Sequence, residues 1–138
     1  MLDHANFTVA NLDESIDWYG RLFGYEVVER GVQENVEWCI MLVGEAMICM
    51  YEHPKREFID RFEAGKRGLH YVSHIGIRID DRKAWEATIE GERVELLYGG
   101  EVQMPHGTSW YLSDPTGWEI EVALWDNNRP DFTSVSDS

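Results

Sequence analysis

Three residues, far apart along a chain of 138, have the types and placement to do chemistry: His4, His74 and Glu121. His4 falls in Leu2–Val9, where Ala5, Phe7 and Val9 are apolar and His4, Asn6 and Thr8 are polar. His74 falls in Tyr71–Ile79, where Ile75, Ile77 and Ile79 alternate with His74, Gly76 and Arg78. Glu121 sits with Glu119 and Ala123 against Ile120, Val122 and Leu124. Alternation of this kind is strand periodicity, with one face on a core and the other free for water or function. A polar strand face is ordinarily only solvated. Here two imidazoles recur at matching places, seventy residues apart, and a carboxylate joins them on a third strand. Two neutral imidazoles and one carboxylate are the facial set that binds a divalent transition metal. The imidazoles give borderline-soft nitrogen, the carboxylate offsets the dication, and the remaining positions stay open for water or substrate.

The elements that must position these residues read as one motif written twice. After the first strand, Asn11 can cap a helix over Leu12–Phe23, with Glu14 three residues on and Gly24 as its stop. Ile16, Tyr19, Leu22 and Phe23 supply its apolar side. Strands are predicted at Glu26–Arg30, Val36–Val43 and Met47–Glu52, punctuated by Gly31 and Gly44. After the second alternating strand, Asp80 and Asp81 precede a helix over Arg82–Glu90 that ends near Gly91. Strands follow at Val94–Tyr98, Thr108–Ser113 and Glu119–Leu124. Each half is therefore strand–helix–strand–strand–strand, an α+β order that neither a doubly wound sheet nor a helix bundle gives. The expected domain spans residues 1–125, with a first module at 1–53, a linker at 54–69 and a second module at 70–125. Residues 126–138 read as a polar tail.

Composition bounds the function. Asp and Glu number 26 against 12 Lys and Arg, a net charge of -14, and such a surface repels phosphate backbones, so nucleic acid is excluded as a partner. No apolar run has the length of a membrane span, and Met1–His4 does not open a signal peptide. The expectation is a cytoplasmic protein in which Cys39 and Cys49 stay reduced.

At both ends the residues resemble the vicinal oxygen chelate superfamily, which includes glyoxalases, bleomycin resistance proteins, fosfomycin-modifying thiol transferases and extradiol dioxygenases. Leu2-Asp3-His4, Asn11-Leu12-Asp13, Trp18-Tyr19 and Leu22-Phe23-Gly24 are similar to its first module. Tyr111-Leu112-Ser113-Asp114-Pro115-Thr116-Gly117, followed by Glu121, resembles the end of its second. The resemblance implies paired βαβββ modules forming a cup-shaped, partly closed mixed sheet around a metal. It also assigns His4, His74 and Glu121 as metal ligands, with Fe(II) or Mn(II) favoured and Zn(II) or Ni(II) as alternatives. Asp114 and Pro115 match the turn and are structural. Relatives often pair as homodimers, and His4 and His74 can then meet within one chain or across two.

Subfamilies part at a fourth position, where glyoxalase-type members often carry Glu. An offset of 72 places Cys49 there and an offset of 70 places Tyr51, both on the inward face. Cys49 is read as a small buried residue beside the site. Tyr111, ten residues before Glu121, and His106 fit the proton-handling residues of an extradiol dioxygenase. Arg78, Ser109, Cys49 and Tyr51 are the candidate substrate contacts. The expected function is a metal-dependent enzyme for a small substrate with vicinal oxygens, with ring cleavage ahead of lyase or isomerase chemistry. The alternatives are a fosfomycin-type thiol transferase, disfavoured because Gly99–Pro105 holds no basic residue, and a metal-free bleomycin-binding type.

Overall fold

The computed structural model describes residues 1–133. The chain divides into two compact units: residues 1–59 with 114–117, and residues 60–113 with 118 onward. No helix of the described residues is long and apolar enough to cross a membrane.

The first unit runs β1 (His4–Val9), α1 (Leu12–Phe23), β2 (Glu26–Gln33), β3 (Val36–Val43) and β4 (Ala46–Glu52). Its sheet has the order β1-β4-β3-β2, with β1 parallel to β4 and the other pairs antiparallel. Asn11 caps α1 by accepting from the Glu14 N–H at 2.9 Å. Gly24 ends the helix at φ 76, a left-handed conformation that glycine adopts without penalty. Leu12, Ser15, Tyr19 and Leu22 form the buried stripe of α1, so Ser15 takes the inward place expected for Ile16. Phe7, Val9, Met41 and Met50 supply the buried side of the sheet. Glu52 accepts from the Leu12 N–H at 2.8 Å, satisfying one of the helix's first unpaired donors.

The second unit runs α2 (Arg61–Lys66), β5 (Ile75–Ile79), α3 (Arg82–Gly91), β6 (Val102–Met104), β7 (Gly107–Ser113) and β8 (Glu119–Trp125). Its sheet repeats the first as β5-β8-β7-β6, with β5 parallel to β8. Asp81 caps α3 through the Ala84 N–H at 3.0 Å. Trp85 of α3 meets Trp110 of β7 edge to face at 6.4 Å, and Ile120, Val122 and Leu112 are buried. Each half is a βαβββ module with an open four-stranded mixed sheet, as the two-fold pattern predicts.

Two local expectations change, and the linker holds a short helix. The strand predicted at Val94–Tyr98 does not form, and β6 comes from Gly99–Pro105 instead. Arg93, Tyr98, Gly99 and Gly100 all have positive φ, which breaks an extended run. The second alternating strand begins at Ile75, leaving His74 just before it. The linker helix, α2, is capped by Asp60.

Candidate metal centre

The second unit gathers most of the predicted chemistry on one sheet face. Glu121 stands opposite Tyr111 on β7 and beside Gly76 on β5. The Tyr111 hydroxyl donates to Glu121 Oε1 at 2.8 Å. His74 Nε2 lies 3.2 Å from Oε2 of the same carboxylate. The rings of His74 and Tyr111 meet edge to face at 5.7 Å. Burial, with help from the Glu121 hydrogen bond, pushes the Tyr111 phenol up to about 12. It is therefore a hydrogen-bond donor at neutral pH. Gly76 leaves room beside Oε2, since a Cβ there would stand 3.8 Å from it.

Behind His74 lies a residue the sequence did not single out. Glu119 shares a face with Glu121 but is buried. Its Oε1 accepts from Arg61 Nε at 3.1 Å and from the Tyr98 hydroxyl, while Arg61 Nη2 donates to that hydroxyl at 2.8 Å. Its Oε2 has no hydrogen-bond partner among the described residues and lies 3.9 Å from His74 Nδ1. A carboxylate facing Nδ1 is the usual way a ligating imidazole is oriented so that Nε2 faces a metal. Parity with Glu121 was the available signal for Glu119. Nothing in the sequence indicated Arg61 or Tyr98.

In the first unit, His4 is half-exposed, and its Nδ1 stands 2.7 Å from Asp3 Oδ2. Nε2 is thus the ring nitrogen that Asp3 does not engage. The registers resolve the fourth position. Cys49 pairs with Asn6, two residues after His4, as Glu121 pairs with Gly76, two residues after His74. The offset is 72, and Tyr51 pairs with Thr8 instead. Cys49 is buried, and that burial raises its thiol pKa. Among the described residues no three His, Cys, Asp or Glu side chains are grouped to hold a metal ion.

The remaining candidates lie on the same face of the second unit. Ser109 is buried opposite Ala123. Arg78 is exposed beside Ala123 and makes no ion pair or hydrogen bond among the described residues. His106 lies in the turn between β6 and β7. Gly107 next to it pairs with Trp125, four residues along β8 from Glu121, or roughly 13 Å by strand rise.

Residues 1–122 match the Glyoxalase/Bleomycin resistance protein/Dioxygenase superfamily, and the chain belongs to it. It is 28% identical over 127 residues to a lactoylglutathione lyase of Neisseria meningitidis serogroup A, covering 86% of each chain. Among solved structures, a glyoxylase/bleomycin resistance protein/dioxygenase domain from Frankia sp. EAN1pec superposes with a TM-score of 0.75 at 17% identity, covering 94% of both chains. A FosX variant from Listeria monocytogenes, complexed with Mn(II) and 1S,2S-dihydroxypropylphosphonic acid, gives a TM-score of 0.67 at 19% identity. There the overlap covers 89% of this chain and 90% of the other.

Proposed function

We propose that the protein is a divalent-metal-dependent enzyme for a small substrate with two adjacent oxygens, its metal held by His4, His74 and Glu121. The observation that carries this reading is the pairing of His74 Nε2 with Glu121 Oε2 at 3.2 Å, with Tyr111 holding the other carboxylate oxygen. The donor set fits a first-row dication, Fe(II) or Mn(II) before Zn(II) or Ni(II). The unpartnered Glu119 oxygen behind His74 and the Asp3 oxygen behind His4 each face an Nδ1, so both rings offer Nε2. His4 comes from the same chain or from the partner in a homodimer. Mixing His4→Ala with His74→Ala protein separates these arrangements, because only a shared site regains metal in the mixture.

When bound, the metal lowers the pKa of a coordinated hydroxyl and holds negative charge that develops in the transition state. The protein's own groups do the rest. Tyr111 fixes the Glu121 carboxylate with its one hydroxyl proton, and its phenol oxygen can accept from a substrate hydroxyl. Arg78 offers a guanidinium to a substrate carboxylate. Cys49, buried and protonated where a further ligand would stand, leaves a three-ligand set. That set, with Tyr111 opposite Glu121, supports extradiol ring cleavage as the finer reading. The 28% identity to a lactoylglutathione lyase supports a second reading, lyase chemistry on a thiol adduct.

The test is turnover by Fe(II)- and Mn(II)-loaded protein. Oxygen uptake with catechols supports ring cleavage, and loss of a glutathione hemithioacetal supports the lyase. Neither activity, in a protein that binds no metal, would leave a binding protein.

A further inference from the structure

A cavity of about 420 Å³ opens on the Glu121 face of the second unit, within the range of small-molecule sites. Its floor is small. Ser109 pairs with Ala123, and Gly107 pairs with Trp125. Gly107 cannot be replaced there, because a Cβ would overlap the Leu124 carbonyl oxygen. Its walls are large: Met104 on one side, and the rings of Trp125, His106 and Phe132 at the end far from Glu121.

Phe132 meets Trp125 edge to face at 5.1 Å and His106 at 5.4 Å. The segment that carries it is fastened at several points, with Asp126 N–H to the His106 carbonyl at 3.0 Å and Asn128 N–H to the Trp125 carbonyl at 2.9 Å. Within the polar tail expected after residue 125, residues 126 and 128 are hydrogen-bonded to His106 and Trp125 and Phe132 packs on the same two rings, while residues 134–138 lie outside the described chain. Phe132 remains 73% exposed, an aromatic surface held over a cavity at a cost in hydration. The ionisable lining groups are Glu121 and His106, and no Lys or Arg lines the cavity among the described residues. Such a wall does not suit a phosphonate or carboxylate. It suits an uncharged ring, which gains from edge-to-face contact with Trp125 and Phe132.

We propose that this cavity is a subsite for an uncharged aromatic arm of the substrate, lying between the chelating end at Glu121 and the Trp125–Phe132 pair. The identity of the chelating end rests on the metal-centre reading, but the arm's binding does not. The substrate class is then a compound with vicinal oxygens at one end and an aryl group filling up to roughly 13 Å of strand length.

The probe is 2-naphthol, which has one hydroxyl and no vicinal pair. Its binding to chelator-treated protein, read by quenching of tryptophan fluorescence and by calorimetry, is expected to saturate and to exceed that of cyclohexanol at least threefold. Ala123→Phe fills the floor and is expected to weaken 2-naphthol at least tenfold while metal binding persists. Phe132→Ala removes an exposed ring, which keeps the test open if Ala123→Phe does not fold, and is expected to weaken binding three- to tenfold. Equal binding of both alcohols, or no effect from either substitution, overturns the proposal. So does a dimer that Phe132→Ala splits into monomers, since the cavity would then be a subunit interface. Metal binding without naphthol binding sinks this inference alone, and naphthol binding without metal sinks the metal centre alone.

Discussion

The Tyr19 hydroxyl of α1 donates to Asp114 Oδ2 at 2.8 Å, both groups buried and 95 residues apart along the chain. Burial first, and Asp114 second, hold the Tyr19 phenol well above its ordinary pKa. Asp114 Oδ1 accepts the Thr116 and Gly117 N–H groups at 2.9 Å each, and Thr116 Oγ1 accepts the Ala10 N–H at 3.2 Å. The Asp-Pro-Thr-Gly turn is thus bound into the first unit and serves structure. Tyr19→Phe removes one donor from a buried carboxylate and should cost about 1–3 kcal/mol in urea unfolding. Metal binding should be unchanged.

Cys39 gives a pH dependence. Its thiol is fully buried, and burial raises it from 9.0 to about 11. The unfolded chain releases that proton first as pH rises. Stability from this group is therefore full below pH 9 and falls by about 2–3 kcal/mol as pH approaches 11. Denaturant melts between pH 8 and 10 should show the decline beginning. Cys39→Ala should be less stable throughout yet flatter over that interval.

Glu119 tests the orientation of His74. Glu119→Gln retains an acceptor for Arg61 and Tyr98 but can turn an amide N–H toward Nδ1. That would push the imidazole proton onto Nε2 and block the ligating lone pair. Calorimetric titration of Mn(II) into stripped protein should show affinity falling 10- to 100-fold. The metal-free melting temperature should drop by only a few degrees.

Arg78 should matter to substrate and not to the fold. Exposed and unpaired among the described residues, it can be changed to Ala within about 0.5 kcal/mol of stability. KM for 2,3-dihydroxybenzoate, whose carboxylate stands next to the vicinal oxygens and not on the arm, should rise about tenfold, worth about 1.4 kcal/mol, with catechol unaffected.

Much of the fold was legible because its signals are local. Alternation at Leu2–Val9 and Glu119–Leu124, and the Asn11 and Gly24 caps, need only neighbouring residues to take effect. The strand at Val94–Tyr98 failed because Tyr98 turns out of extended backbone and donates to Glu119. That contact spans 21 residues, and no sequence window contains it. The resemblance pointed to Tyr111 through its ten-residue spacing from Glu121, and only the register set the two opposite each other on one face. Phe132 was missed because a single aromatic in a Ser- and Asp-rich tail has no periodicity to mark it.

The central claim is one metal held by two imidazoles and one carboxylate. The direct measurement is elemental analysis of tag-free protein, with calorimetric titration of Fe(II) and Mn(II) into stripped wild type, His4→Ala, His74→Ala and Glu121→Gln. One metal per chain is expected in the wild type, with affinity at least 100-fold weaker in each variant. Undiminished binding by His74→Ala, or no saturable binding by the wild type, would contradict it.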